Sequence, residues 1–312
     1  MTAYPSDRPS DRAGEPTLEP TEFRALPARK APGSIARSGV MPPVPERHGR
    51  RTPAGRLDAV DRSMTDTDRA LLGDLDRFGF LTTNQLQLLH FSTNASELAA
   101  ARRTYRALTR LAQLGVVEHL DRRVGGVRAG SASYVWRVGP VGHRLLLGDT
   151  AARLRRKEPS LRTLDHRLAV ADAAVRLTLA SRAGSFELLK LTTEPDSWQS
   201  FLGPGAVRQV LKPDAFAVTA IDDYEDYWYL EIDRATESLP TIVRKSLQYA
   251  RYVRTGDAVQ RYGVNPLVVW LVPDEKRKQA IENAIATSDL DLRLFRFAVQ
   301  DAITALIAGG AG

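Results

Sequence analysis

The sequence predicts an α+β protein in which a small, helix-rich domain precedes a larger α/β domain with a mixed sheet. Three observations carry that prediction. Residues 64–138 hold three helical periodicities followed by two alternating β segments. Residues 165–272 run helix, strand, strand, strand, helix, strand, whereas residues 1–62 follow neither pattern. With 312 residues, 43% of them hydrophobic, the chain can bury a sizeable core and build about two domains of ordinary size.

The boundaries follow composition. Residues 1–62 carry more than half of the prolines and almost no consecutive large apolar residues. They cannot offset the entropy of ordering, and a disordered basic arm is expected. Its RHGRR run, Arg47–Arg51, reads as a solvated tail before it reads as a phosphate contact. A second domain is expected over 63–150 and a third region over 151–312. From Met64, MTDTDRALLGDLDRFGFLTTNQLQLLHF offers Thr65 or Thr67 as a helix cap. Leu71, Leu72, Leu75 and Phe78 follow at helical spacing, and Gly79 is the stop. A short helix restarts after Thr82 or Thr83. A third, ASELAAARRTYRALTRLAQLG, ends at Gly115 with Leu98, Tyr105, Leu108, Leu111 and Leu114 as its apolar stripe. Then VVEHLDRRVGGVRAGSASYVWRV gives two alternating segments around a Gly-rich turn. Helix, helix, helix, hairpin is the order of a winged helix-turn-helix.

Charge in that region points to a polyanion. The formal net charge is +7, with arginine in excess, and the guanidinium fork suits phosphate oxygens. Arg102, Arg103, Arg106 and Arg110 are expected on the polar flank of the third helix, the position from which a recognition helix enters the major groove, with Thr109 and Gln113 beside them. Arg122, Arg123 and Arg128 lie near the hairpin tip, where a wing reaches phosphates. The expected partner is double-stranded DNA.

"DRFGFLTTNQLQLLHF", the Arg-rich helix after it, and "LGVVEHLDRR…SASYVWRVGPVGHRLL" resemble the amino-terminal half of the replication-relaxation family of plasmids and integrative mobile elements. Its later "H-x-L", "PDA" and "E-x-D-R-x-T-E" features are matched by "LDHRLAVADAAVRL", "LKPDAFAVTA" and "YLEIDRATES". The resemblance spans about residues 66–275 and implies a role in plasmid or mobile-element replication or mobilisation.

The acids can be read on their own. "AFAVTA" and "YWYLEID", separated by IDDYED, make a hairpin in which Glu231 and Asp233 share a face. If Asp214 lies beside them, three carboxylates converge and need a cation. Oxygen-only ligands favour Mg²⁺ or Mn²⁺, so Asp214, Glu231 and Asp233 are the candidate metal ligands. The αβββαβ order is similar to the PD-(D/E)XK nuclease superfamily and implies a restriction-endonuclease-like α/β domain. By position, Pro213 and Asp214 are its "PD" and Glu231 its second acid, while Asp233 stands where the lysine is usual. Lys245 is the candidate replacement, with Lys212 as another; Arg234 or Arg244 could instead neutralise the acids. Gln248 and Tyr252 resemble a Q-x-x-x-Y element, and Tyr249 or Tyr252 would be the residue for a covalent tyrosine mechanism. His166 is expected to pack or cap, and Asp172 to supply an outer acid.

Two activities follow as expectations: a DNA-binding protein that also nicks DNA with a divalent metal, or a regulator with an inactive nuclease fold. The absence of cysteine excludes disulfides, thiolate catalysis and cysteine-ligated zinc. No run approaches about 18 apolar residues, so a cytoplasmic chain without a membrane partner is expected. A second copy of the chain is a further candidate partner.

Overall fold

A computed structural model describes residues 54–93, 96–124, 133–148 and 158–310, with backbone alone for 121–124, 133 and 204. The run Arg47–Arg51, most of the expected arm and Arg128 lie outside these residues. The arm's end differs from expectation: Ala54–Ser63 forms helix α1, with Val60 buried. Arg69 clamps it by an ion pair to Asp61 Oδ1 at 2.5 Å and a hydrogen bond to the Asp61 carbonyl at 2.6 Å.

Helix α2, Asp66–Phe78, begins in a capping box. Thr65 Oγ1 accepts from Asp68 N at 3.2 Å, and Asp68 Oδ2 accepts from Thr65 N at 2.8 Å. Gly79 closes the helix at φ 74°. After strand β1, Leu81–Thr82, a second box between Thr82 and Gln85 starts α3, Thr83–His90. Helix α4, Glu97–Leu114, is capped by Ser96 and stopped by left-handed Gly115. Strands β2, Val117–Val124, and β3, Ser133–Val138, pair antiparallel, and β1 adds to β3 to give the order β1-β3-β2. Helix α5, Pro140–Leu147, returns over them.

The buried stripe of α4 differs from the one expected. Ala100, Thr104, Leu108, Leu111 and Ala112 are buried, whereas Leu98 is 62% and Tyr105 43% exposed. Leu108 and Leu111 are buried as expected, and the small residues Ala100, Thr104 and Ala112 complete the stripe in place of Leu98 and Tyr105. Gly142 is held as tightly: a Cβ there would lie 2.2 Å from the Val116 carbonyl oxygen and 2.9 Å from Val138 Cγ1. Gly142→Ala is expected to destabilise the protein by about 1–3 kcal/mol through overpacking, read as a lower midpoint in chemical denaturation.

The second half is built on α6, Leu161–Arg182, and a five-stranded sheet. Its strands are β4 (Glu187–Thr193), β7 (Ala215–Ile221), β8 (Tyr224–Ile232), β9 (Leu267–Val272) and β10 (Phe295–Val299). A separate hairpin, β5 (Gln199–Leu202) and β6 (Arg208–Leu211), interrupts the chain between β4 and β7. The order is β10-β9-β8-β7-β4, parallel from β10 to β8 and antiparallel from β8 to β4, so the protein is α+β with a mixed sheet.

Alternation along the strands makes two cores. Trp228, Leu230 and Ile232 face α6 and α10 (Ile303–Ala308). Tyr229, Phe216 and Trp270 face α7 (Leu239–Thr255), α8 (Asp257–Tyr262) and α9 (Glu275–Ala286). The helical half docks on the α6 side. Gln85 Nε2 reaches Asp172 Oδ1 at 2.6 Å and the Leu168 carbonyl at 3.0 Å, Arg182 Nη1 donates to the Leu89 carbonyl at 2.6 Å, and Phe80, Leu120, Val135, Leu164 and Leu168 form the apolar seam.

Candidate functional site

Asp214 stands just before β7, opposite Glu231 by the register that pairs Ala215 with Leu230. Both are buried, at 6% and 2% exposure. The Pro213 carbonyl is occupied by the Ser197 hydroxyl at 2.6 Å, and the Asp214 carboxylate accepts the Ile232 N–H instead, at 2.7 Å. Its other oxygen is 2.9 Å from His166 Nε2, and this bond raises the histidine's pKa. His166 therefore belongs to the acid site. Asp172 does not: it meets Gln85, and burial raises its pKa.

Glu231 is the most perturbed carboxyl. Burial, then the Asp214 charge, push its pKa up to about 8, against the opposing pull of Lys245 and Tyr249. Tyr249 donates to Oε1 at 2.5 Å and Lys245 Nζ is 3.4 Å from Oε2. Burial works against the Lys245 ammonium, but Glu231, Asp214 and Glu237, the last 3.2 Å away, outweigh it and raise its pKa. Glu194, just past β4, joins the same field, its pKa raised by burial and then by Asp214. Because the folded pKa of Glu231 lies above the ordinary 4.5, the native state holds a proton there that the unfolded chain releases. Stability is expected to fall as pH rises from about 4.5 towards about 8, and Glu231→Gln is expected to flatten that slope in denaturant titrations across pH.

Asp233 is not shared with this pair. Arg277 on α9 grips it, Nε to Oδ2 at 2.6 Å and Nη2 to Oδ1 at 3.2 Å, and also donates to the Glu237 carbonyl at 2.7 Å. Among the described residues no group of three or more His, Asp or Glu is placed to hold a metal ion. Of the expected donors, Asp233 is held by a guanidinium, and each oxygen of Asp214 and Glu231 has a partner within the protein. The other candidate cations are elsewhere. Arg234 pairs with Asp165 at 3.1 Å, and the Lys212 ammonium lies 4.3 Å from the centre of the Trp198 ring. Tyr249 is buried with its hydroxyl directed at Glu231, and its pKa is well above the ordinary value because of burial and that carboxylate. Tyr252 packs against Phe201 and Tyr229, and Gln248 lines a cleft at the hairpin β5–β6.

The four arginines of α4 divide into two rows. Arg110 Nη2 contacts both oxygens of buried Asp68, at 2.6 and 2.5 Å, and Arg103 donates to the Phe91 carbonyl at 3.0 Å. Burial opposes ionisation of Asp68, yet the bonds from Arg110 and Thr65 keep its pKa low. Arg110 is therefore tied to Asp68, although its side chain stays 42% exposed. Arg102 and Arg106, one turn apart, are exposed with Leu98 and Tyr105 between and beside them; Thr109 is half-buried on that face. Arg122 and Arg123 sit on β2, their side chains outside the described set.

A family model described as replication-relaxation matches residues 72–268, well over half of the chain. The chain belongs to the replication-relaxation family. No curated protein and no solved structure matches it. The replication-relaxation span includes Arg102, Arg106, Asp214, Glu231 and Lys245 but stops before α9, so Arg277 is supplied from outside it. No helix among the described residues is long and apolar enough to cross a membrane.

Proposed function

We propose that this replication-relaxation protein binds double-stranded DNA in the replication or mobilisation of a plasmid or mobile element, with α2 to β3 acting as a winged helix and α4 as its recognition helix. The observation that carries this is the exposed row Arg102, Tyr105 and Arg106 on α4: Arg106 Nε reaches back to the Arg102 carbonyl of the same helix at 3.3 Å, whereas Arg103 and Arg110 are tied to residues of other segments. In this reading the α/β half is PD-(D/E)XK nuclease-like, and its acids serve as an internal polar network, so the protein holds DNA without cutting it. This is the regulator of the two expected activities. One observation favours the other, metal-dependent nicking: Lys245 places a cation beside Glu231 from a helix, in lieu of the strand lysine.

Supercoiled plasmid incubated with the protein in Mg²⁺, Mn²⁺ or EDTA separates the two. The expected result is a retarded but covalently closed plasmid in all three. Open circles that require metal and disappear in Asp214→Ala and Glu231→Ala would replace the regulator with the nicking enzyme.

A further inference from the structure

The face of the sheet opposite the helical half carries a second basic surface. Helix α7 contains Arg244, Lys245, Arg251 and Arg254 and no acid, and the neighbouring segment 197–212 also has none. Lys245 is used by Glu231 and Glu237. Arg244 and Arg251 are exposed, with no ion-pair partner among the described residues. They lie two turns apart on one stripe, about 10.5 Å along the axis, over which one DNA strand carries about three phosphates. Gln248 sits between them on the same stripe.

The hairpin β5–β6 stands beside this stripe. Phe201 and Leu211 anchor it in the α7 core, and a cleft of about 370 Å³ remains between hairpin and helix, lined by Phe201, Gln209, Val210, Gln248 and Arg251. At its outer end Leu202 and Val207 are 61% and 60% exposed, flanking a Gly-Pro-Gly turn. Apolar residues on a projecting hairpin beside arginines and carboxamides suit a DNA groove: the polar groups meet phosphates, and the aliphatic tip meets sugars and base edges. The lack of any acid on α7 and the hairpin argues against an equally basic second copy of this chain as the occupant.

We infer that α7 and the hairpin β5–β6 form a second DNA-binding face, so that one chain holds two duplex segments on opposite sides of its sheet. The first segment rests on the α4 reading; the second does not. The test uses a bead-bound duplex, the full chain, and a second, fluorescent duplex. Wild type recovers the second duplex. Arg244→Glu/Arg251→Glu recovers at least about tenfold less of it while still retarding a single duplex, as expected for loss of two phosphate contacts. Arg102→Glu/Arg106→Glu also loses recovery and keeps only the weaker, salt-sensitive single-duplex binding through α7, at least about 100-fold below wild type at moderate salt. Recovery by the α7 variant equal to wild type, or none by wild type, overturns the second face. An unaffected α4 variant overturns the α4 reading instead. Leu202→Ser/Val207→Ser is expected to weaken recovery without changing the salt dependence, and full recovery would remove the hairpin from the face.

Discussion

Arg277→Ala is expected to cost about 3–5 kcal/mol of folding free energy, because it leaves Asp233 as a buried carboxylate without its counter-charge. Asp233 is almost wholly buried, and Arg277 holds both of its oxygens and ties the Glu237 carbonyl to the same point. In a protein with a typical stability of about 5–15 kcal/mol, that loss is a large share of the total. Asp233→Asn/Arg277→Met should recover part of it, since removing both charges avoids the orphaned one. Denaturant midpoints of the three proteins check this. An Arg277→Ala midpoint equal to wild type would mean that Asp233 finds water or another cation.

Arg102→Glu/Arg106→Glu should lower duplex affinity by at least about 100-fold at moderate salt, since two phosphate contacts are lost and two repulsions gained. Folding should be unaffected because both side chains lie on the exposed face. The contrast is Arg110→Ala. It leaves buried Asp68 with the Thr65 bonds but without its cation and should lower stability by about 1–3 kcal/mol, and so must not be taken as a test of DNA contact. A gel shift read beside a melting curve separates these effects.

Much of the fold was legible because its punctuation is local. Thr65 and Thr82 cap helices, Gly79 and Gly115 end them, and the alternation of 215–221 against 224–232 gives the central hairpin. The hairpin β5–β6 was not, since QSFL and RQVL are four residues each and flank a Gly-Pro-Gly turn that reads as loop. Nor was β10, whose FRFAV pairs in parallel with a distant strand. At the site, the chain pattern pointed to Asp214, Glu231 and Lys245, but not to their company. His166 and Asp172 are six residues apart, about 240° around a helix, so only one can face the acids, and sequence spacing does not say which. Arg277 was hidden among Lys276 and Lys278: a buried aspartate demands a cation, but choosing it needs the phase of α9, which Asp274 sets as its cap. Glu194 carried no pattern at all.

The most direct test of the account is the salt dependence of duplex DNA binding, measured by fluorescence anisotropy for wild type and Arg102→Ala/Arg106→Ala. The account predicts a wild-type plot of log affinity against log salt that falls steeply, and a variant slope shallower by about two. A wild-type affinity indifferent to salt, or identical slopes for the two proteins, would contradict α4 as the DNA-binding helix.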